Sequence, residues 1–498
     1  MPLLAWPAIV VQLLLAAIGL FVWRRYLSPL ADIPGPFVAS FSRWWHIRHI
    51  LIGDQNRQLV QLHEKHDTVS VHFCLGHFVR IAHNEVSVSH PDGVKQLLLH
   101  PLWKAKWYEI SQLPDYRYKS AMSALDPRKK AERSRNLAPG YRLSNVIKSE
   151  DAISRTIEML LDWMDAYAEK HEPMQLDRFF TYTAFDVVGE VLFSKKFGFL
   201  QQGADIRNAI SNSLALNAFA TVLGFFQPWN RIIANPFVTW LQITPMGHLF
   251  DIAMTALNER EKNQDARFDV VAHWFRMLAQ HPERMQLRDI HVQTINSVSA
   301  GADTVSCGLQ SFIYHMLRHP TAWHRVRAEI DAACRERGLC ADRVVAFDHA
   351  QQLPYLQACI KEALRVFGPV PMGLPRVAPK GGLTIGDRTF PAGTILSINP
   401  WVIHYSKEIW GLDAHEFNPD RWLSDSAAAL EKFWIPFGVG YASCPGQNIA
   451  KIELSKILAT IVRDYDIRQV YKDQEWKYKA YFTAVPHSWP CYIEKRRD

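Results

Sequence analysis

The segment FGVGYASCPGQNIA, residues 437–450, places one cysteine, Cys444, between glycines and the predicted start of a helix. Unpaired backbone N–H groups and the positive end of the dipole at a helix start favour a thiolate over a thiol. Pro445 suits the first helical turn, because its missing N–H costs nothing there. A thiolate held in this way is a metal ligand, and haem iron accepts one axial cysteine. A buried structural cysteine is the alternative interpretation.

Glycines flank Cys444 on both sides, at Gly438, Gly440 and Gly446. Because glycine has no side chain, the backbone here can approach a flat and bulky group. The full spacing F-x-x-G-x-x-x-C-x-G-x-x-x-A, from Phe437 to Ala450, favours the haem ligand over the structural cysteine.

A second motif, AGADT at residues 300–304, lies in the middle of the longest predicted helix, Leu287 to His319, which ends at Pro320. This helix is far longer than the usual 11–12 residues or so, and we expect it to cross the core. Gly301 and Thr304 weaken the helical hydrogen-bond ladder, since a threonine hydroxyl can bond the carbonyl four residues back. A helix contact through small residues is the alternative.

A third motif, KEALR, places Glu362 and Arg365 three residues apart on one face of a helix predicted from Leu353 to Phe367. Taken alone, such a pair is usually a surface ion pair. A further helix is predicted from Gln447 through Val462, directly after the cysteine.

The elements that must position these motifs are mainly helical. Short alternating stretches predict a small sheet: TVSVHFC from Thr68, HFVRIAH from His77, and LTIGDRTFPAGTILSI from Leu383 to Ile398. No repeat or low-complexity linker interrupts residues 37–498. The sequence therefore predicts one large, mainly α domain with a small β-rich lobe.

The N-terminal stretch from Leu3 to Trp23 is apolar, with Gln12 as its one strongly polar residue. As a helix it would rise ~32 Å, about the thickness of the hydrocarbon core of a bilayer. Arg24 and Arg25 follow, which places the rest of the chain in the cytosol. A cleaved signal peptide is the alternative, but its charges would precede the apolar run. We expect a transmembrane anchor over residues 1–25 and a proline-rich hinge over residues 26–36.

The composition narrows the class of protein. Of the 498 residues, 48% are hydrophobic and 21% are charged, as in a globular protein with a large core. The net charge is +7, and no basic stripe interleaved with aromatic residues indicates nucleic-acid binding. The seven cysteines are an odd number without zinc spacing, which favours free thiols in a reducing compartment.

The cysteine loop resembles the haem-binding loop of the cytochrome P-450 superfamily. AGADT, KEALR and FNPDRW (residues 417–422) match three further motifs of that family in the expected order. The resemblance covers residues 30–498, and within the superfamily the chain is similar to microsomal enzymes of filamentous fungi of the pisatin-demethylase type. It implies the cytochrome P-450 fold, preceded here by one transmembrane helix.

The resemblance also implies roles for residues. Cys444 would be the axial ligand of the haem iron, Thr304 would relay protons, and Asp303 would connect the relay to solvent. A buried carboxylate–guanidinium lock would join Glu362, Arg365 and Arg421 beneath the haem. The other implied haem contacts are Phe437, Gly438, Gly446, Ala300 and Gly301.

Two positions depart from the family pattern, and both normally bind a haem propionate. The arginine or histidine two residues before the cysteine is Ala442 here, and the family's Trp-x-x-x-Arg helix corresponds to Lys130 and Ser134. We expect nearby basic residues to substitute: Lys130, Arg133, Arg135 and Arg376.

The implied function is a membrane-anchored haem-thiolate monooxygenase with haem b. The chain has no flavin or nicotinamide motif, so its electrons must come from a separate reductase. The resemblance implies an NADPH-dependent flavoprotein as this reductase, with cytochrome b5 as a second donor. Lys451 and Lys456 could dock the acidic surface of the reductase. The implied location is the endoplasmic reticulum membrane, with a single span and a cytosolic catalytic domain.

The expected substrate is an apolar small molecule of fungal secondary metabolism. Four apolar and aromatic segments are predicted to line its pocket: Trp103 to Met122, Asn296 to Thr304, Val370 to Leu374, and Phe482 to Pro486. Two alternatives stay open, a haem-thiolate isomerase or dehydratase that does not activate oxygen, and a non-catalytic haem carrier or sensor.

Overall fold

The computed structural model describes residues 5–69, 76–112, 119–227, 247–263, 269–338 and 341–496, with single positions between 229 and 267. Within these residues the structure is mainly helical, and thirteen helices have nine residues or more. In chain order they are α1 Ala5–Val22, α2 Trp44–Ile52, α3 Gln55–Val69, α4 Pro127–Leu137, α5 Glu150–Lys170, α6 Leu176–Phe193, α7 Ala209–Leu223, α8 Gly247–Lys262, α9 Val270–Gln280, α10 Leu287–Arg318, α11 Pro320–Arg337, α12 Pro354–Val366 and α13 Gln447–Asp464.

The strands form a four-stranded sheet and three two-stranded sheets within the described residues. They are β1 Phe78–Ala82, β2 Glu85–Val88, β3 Leu374–Val377, β4 Leu383–Ile385, β5 Arg388–Phe390, β6 Ile395–Ile398, β7 Tyr465–Gln469, β8 Lys477–Ala480, β9 Ala484–His487 and β10 Cys491–Lys495. The large sheet has the order β1-β2-β6-β3, in which β2 and β6 are parallel and the other pairs antiparallel.

Two of the three segments that were predicted to form strands contain strands in the structure. HFVRIAH contains β1, and the segment from Leu383 to Ile398 contains β4, β5 and β6. For TVSVHFC, Thr68 and Val69 instead end helix α3, and residues 70–74 lie outside the described residues. The mainly helical fold with a small β-rich part is confirmed.

Helix α10 crosses the core, as predicted, and begins and ends within one residue of the predicted bounds. At its start Gln286 and Asp289 form a reciprocal capping box, and Pro320 cannot continue the helix at its end. Most of its residues from Val298 to Met316 are buried, and its closest neighbour is α6. Helices α12 and α13 also pack against α10 and complete the scaffold of the cavity described below.

The N-terminal helix α1 continues into a π-helical turn, Trp23–Leu27. Residues 9–27 form a helix long and apolar enough to cross a membrane, and no residue of this stretch is fully buried in the protein. The segment that follows is not a free hinge, because Leu30 and Ile33 are buried beside apolar residues of the large sheet. The division at residues 26–36 stays a prediction, but the segment is fixed to the body of the protein.

The cysteines only partly match the expectation of free thiols. Cys307, Cys359, Cys444 and Cys491 are free, and the first two and the last are buried. Cys334 is in a disulfide bond. An odd number of cysteines in the sequence does not exclude one bridge, so the inference from their count was too broad.

Candidate active site

A cavity of about 690 Å³ lies between α10 and the loop that carries Cys444. All four segments predicted to line a substrate pocket contribute to it, through residues such as Trp107, Asn296, Val370 and Phe482. Its lining is mostly apolar and aromatic. A cavity of this size and character is typical of a small-molecule site.

The cysteine loop is shaped by glycines at two tight positions. Gly438 and Gly440 have φ angles of 63° and 66°, which favour glycine. A Cβ on Gly440 would lie 2.5 Å from the Leu98 carbonyl oxygen, so no side chain fits there. The Cys444 N–H donates to the Phe437 carbonyl at 2.8 Å and closes the loop. Cys444 consequently lies in the wall of the cavity.

Helix α13 begins at Gln447 with Gly446 as its N-cap, so Cys444 and Pro445 precede the helix. The prediction that Pro445 occupies the first helical turn was wrong, because a short turn separates the cysteine from the helix. The backbone N–H groups of Gly446 and Gln447 still point at the sulfur and lower its pKa, but burial outweighs them and raises the pKa of the Cys444 thiol. A thiolate here therefore requires a cation beside it.

The residues present fit a haem better than a bare metal ion. Within the described part of the chain, no three His, Cys, Asp or Glu side chains are grouped to hold a metal. One cysteine at the wall of a large apolar cavity is the donor set that haem iron accepts. Phe437, Gly438 and Gly446, three of the predicted haem contacts, line the same cavity.

Helix α10 supplies the wall on the other side of the cavity, with Ala300, Gly301, Asp303 and Thr304. The Thr304 hydroxyl donates to the Ala300 carbonyl at 3.0 Å and lies 3.4 Å from that of Gly301, as the motif predicted. Asp303 is buried beside it. A Cβ on Gly301 would lie 2.7 Å from Val188 of α6, so this glycine also permits a close helix contact. The structure therefore shows the small-residue helix contact and the threonine hydrogen bond, while the role of the motif in proton relay stays a prediction.

Of the four basic residues that line the cavity, three lie close together: Lys104, Lys130 and Arg376. The Arg376 Nη1 donates to the Tyr108 hydroxyl at 3.2 Å, while its buried Nε has no hydrogen-bond partner among the described residues. Lys130 donates to the Tyr441 carbonyl. Burial, helped by the neighbouring Arg376 and Lys130, lowers the pKa of Lys104 to about 7. No ion pair within the described residues neutralises this group of cations.

Of the predicted propionate partners, the structure brings Lys130 and Arg376 to the cavity but not Arg133. The Arg133 guanidinium instead lies 3.3 Å from an Asp289 carboxylate oxygen at the start of α10. Sequence reasoning missed Lys104, which is one of three lysines in the predicted pocket segment from Trp103 to Met122, so the sequence did not distinguish it. The positive charges of Arg376 and Lys130 in the cavity wall fit a bound group that carries carboxylates.

The lock predicted from KEALR and FNPDRW is assembled and buried. Arg365 donates to both Glu362 oxygens, at 2.7 and 2.9 Å, and Arg421 donates to one of them at 3.0 Å. Arg365 also donates to the carbonyl of His404, whose Nε2 accepts from the Ile435 N–H at 3.0 Å. The lock thus reaches the start of the cysteine loop through one histidine.

Two further charged residues have unexpected positions on α13. Lys456 is buried and pairs with Glu150 at 2.7 Å, so it is not available to dock a partner, contrary to the prediction, whereas Lys451 is exposed. Glu453 lines the cavity fully buried, with no partner for either carboxylate oxygen among the described residues. Burial raises the pKa of Glu453 well above its usual range. Its position in an ordinary amphipathic helix pattern gave no signal.

Comparison with known proteins gives one consistent result. The family model described as Cytochrome P450 matches residues 38–484. A cytochrome P450 monooxygenase of Aspergillus flavus is 28% identical, covering 98% of this chain and 97% of that protein. A pisatin demethylase of Fusarium vanettenii is 27% identical over 96% of this chain and 91% of its own length. A cytochrome P450 monooxygenase of Alternaria alternata is 30% identical over 72% and 98%.

Proposed function

Because the chain belongs to the cytochrome P450 family, we propose that it binds haem b through Cys444 and oxidises an apolar small molecule. It is a P450 monooxygenase, an oxidoreductase that works with a redox partner on a small-molecule substrate. The observation that carries the proposal is the meeting of Cys444, Thr304 and three basic side chains in the wall of one apolar cavity.

The haem, when bound, supplies O₂ activation, and a cysteine ligand favours O–O cleavage. The residues of this chain would bind and orient the haem. Two of the unpaired cations, Arg376 and Lys130, would hold the carboxylates of the haem in place of the residues that Ala442 and Ser134 replace. The tight loop that Gly440 allows would hold the Cys444 sulfur in position to bind the iron.

Proton delivery is the proposed task of α10. The Thr304 hydroxyl now donates along the helix to Ala300, and rotation about its χ1 angle would turn it towards the cavity. Asp303, buried one residue before, would hold the next proton in the relay. General acid–base groups placed in this way contribute roughly 10²–10⁴-fold to rate.

The finer assignments follow from chemistry and from the relatives. The apolar lining suits an apolar substrate, and because the relatives are monooxygenases of fungi such as Aspergillus flavus and Aspergillus oryzae, we expect a fungal secondary metabolite. NADPH would supply electrons through a flavoprotein reductase, with cytochrome b5 as a second donor. The apolar residues 9–27 would anchor the protein in the endoplasmic reticulum membrane with its catalytic domain in the cytosol.

Thr304→Ala tests the proposal with purified full-length protein and an NADPH-dependent reductase. The variant should bind substrate normally and consume NADPH, but the ratio of product to NADPH should fall sharply while hydrogen peroxide rises. Thr294→Ala is the matched control, since Thr294 is buried on the same helix but does not line the cavity.

Cys444→Ala should lose haem, or lose the red-shifted Soret band of the reduced carbon-monoxide complex. Turnover without NADPH would favour the isomerase or dehydratase. Haem binding without any oxygen-dependent NADPH consumption would favour the carrier or sensor. An unchanged coupling ratio in Thr304→Ala would remove the relay from the mechanism.

A further inference from the structure

A second cavity, of about 240 Å³, lies where the N-terminal helix meets the large sheet. Its wall is formed by residues 31–37 together with Arg25, Ser40 and Arg80. Unlike the candidate active site, it is lined mostly by polar atoms. It is smaller than the 300–1,000 Å³ or so of typical ligand pockets, which suits a small polar group.

Arg80 is the most deeply buried charged residue in the wall of this cavity. Its side chain is 1% exposed, and its Nη atoms donate to three backbone carbonyls, those of Arg24, Leu30 and His83. Its Nε is buried without a hydrogen-bond partner among the described residues. Backbone carbonyls hold the guanidinium in place, but they carry no net charge to balance it.

Arg25 adds a second cation to the wall of the cavity, and its Nε is also buried without a partner in the described part of the chain. The guanidinium stacks over the rings of Tyr26 and Phe37, at 5.2 and 5.6 Å. These contacts fix the orientation of the side chain and leave its Nε donor unused.

One carboxylate, Asp32, is present in the wall, but it is already neutralised. Both of its oxygens accept hydrogen bonds from Arg388, at 2.6 and 2.8 Å. The hydrogen bond with Arg388 holds the pKa of Asp32 below its usual range. The positive charges of Arg25 and Arg80 are therefore not balanced by a free carboxylate in the cavity wall. Buried charges without a partner are costly, and the unused Nε–H of Arg80 together with the guanidinium of Arg25 offers charged donors that suit a phosphate.

We propose that this cavity binds a phosphate group, carried by an anionic phospholipid at the cytosolic surface of the membrane. The cavity lies at the C-terminal end of residues 9–27, where a membrane-crossing helix would leave the bilayer. Basic pockets at this depth bind anionic lipid head groups. The lipid source rests on the proposed membrane anchor, whereas the phosphate chemistry rests on Arg25 and Arg80 alone.

The test measures binding of short-chain phosphatidic acid to full-length protein in neutral detergent micelles, with inorganic phosphate and short-chain phosphatidylcholine in parallel. We expect phosphatidic acid to bind more tightly than either. Arg25→Gln should weaken that binding about tenfold or more, the loss expected for one charged contact. Arg80→Gln is the second variant, because Arg80 also ties the backbone together and its loss could unfold the site.

Arg48→Gln is the matched control, since Arg48 is exposed on the neighbouring helix α2 and lies outside the cavity. Equal weakening by Arg25→Gln and Arg48→Gln would show general electrostatic attraction and overturn the site. Equal affinity for inorganic phosphate would support the phosphate site and overturn the lipid source. Flotation with neutral vesicles measures the anchor separately, and loss of flotation would reject the anchor without changing the micelle result.

Discussion

Replacing Glu362 with glutamine keeps the shape of the side chain and removes the negative charge at the centre of the lock. Its Oε1 accepts hydrogen bonds from Arg365 Nη2, Arg421 Nε and the Asn418 N–H, and its Oε2 accepts from Arg365 Nε and Trp422 Nε1. A glutamine amide has one acceptor oxygen, and its NH₂ group would face donors. Whichever way the amide turns, the bonds at one oxygen are lost, and these number at least two.

The expected loss of stability follows from burial. Glu362 and Arg365 are both 0% exposed, so water cannot replace the missing bonds. A hydrogen bond to a charged group contributes about 1.5–3 kcal/mol, and removing one partner of a buried ion pair costs about 3–5 kcal/mol. We therefore expect the free energy of unfolding to fall by about 3–5 kcal/mol. With an unfolding entropy of about 2.1 cal/mol/K per residue, this is a fall in Tm of about 3–5 °C.

The assay is thermal unfolding followed by circular dichroism, with loss of the Soret band as a second signal. The control is Glu431→Gln, the same substitution in the Lys361–Glu431 pair, where the glutamate is 50% exposed. An exposed pair of this kind contributes about 0–1 kcal/mol. Because the lock reaches the cysteine loop through His404, the Glu362 variant should also release haem earlier. Equal Tm shifts in the two variants would refute the reasoning.

Three further predictions concern groups in the core and the cavity wall. Burial raises the pKa of Glu453, so its contribution to folding stability is fully present below its ordinary pKa of 4.5, where the carboxyl is protonated, and is lost as the pH rises. In denaturant titrations, Glu453→Gln should therefore be more stable than wild type at pH 8 and not at pH 4.5. Burial lowers the pKa values of His63 and His404 to about 3, so each should cost about 1.4 kcal/mol of stability per pH unit as the pH falls below about 6.5, measured by unfolding at pH 7 and pH 5. Arg376→Leu should speed haem transfer to an acceptor protein about tenfold, whereas Arg133→Leu, outside the cavity, should not.

Local signals explain what the sequence predicted well. The bounds of α10 were predictable because Pro320 ends it, and its length marked it as a core helix. The cysteine loop was predictable because its glycines are required by backbone conformation and close approach, which act within a few residues. Constraints of this kind depend on residues that are neighbours in the sequence, so they can be recognised without knowing the fold.

Contacts between distant segments explain what the sequence missed. Lys456 resembles a surface lysine until Glu150, about three hundred positions earlier, is placed beside it. Arg133 resembles a haem partner until the start of α10 supplies Asp289. Burial of Glu453 depends on elements from several parts of the chain that surround α13. Helical periodicity identifies an inward face but not which charges meet there.

The hydrogen bond between the His404 ring and the Ile435 N–H makes the local stability of the cysteine loop depend on the lock. Its Nε2 accepts that bond, so the ring proton of a neutral His404 lies on Nδ1. Because Arg365 of the lock donates to the His404 carbonyl, local opening of the lock should also release the residues that lead to Cys444. In hydrogen exchange on haem-free protein, the amides of α12 should consequently be protected longest, and the Ile435 amide should exchange before them. We expect haem binding to raise the protection of the cysteine-loop amides more than that of the α12 amides in the same measurement.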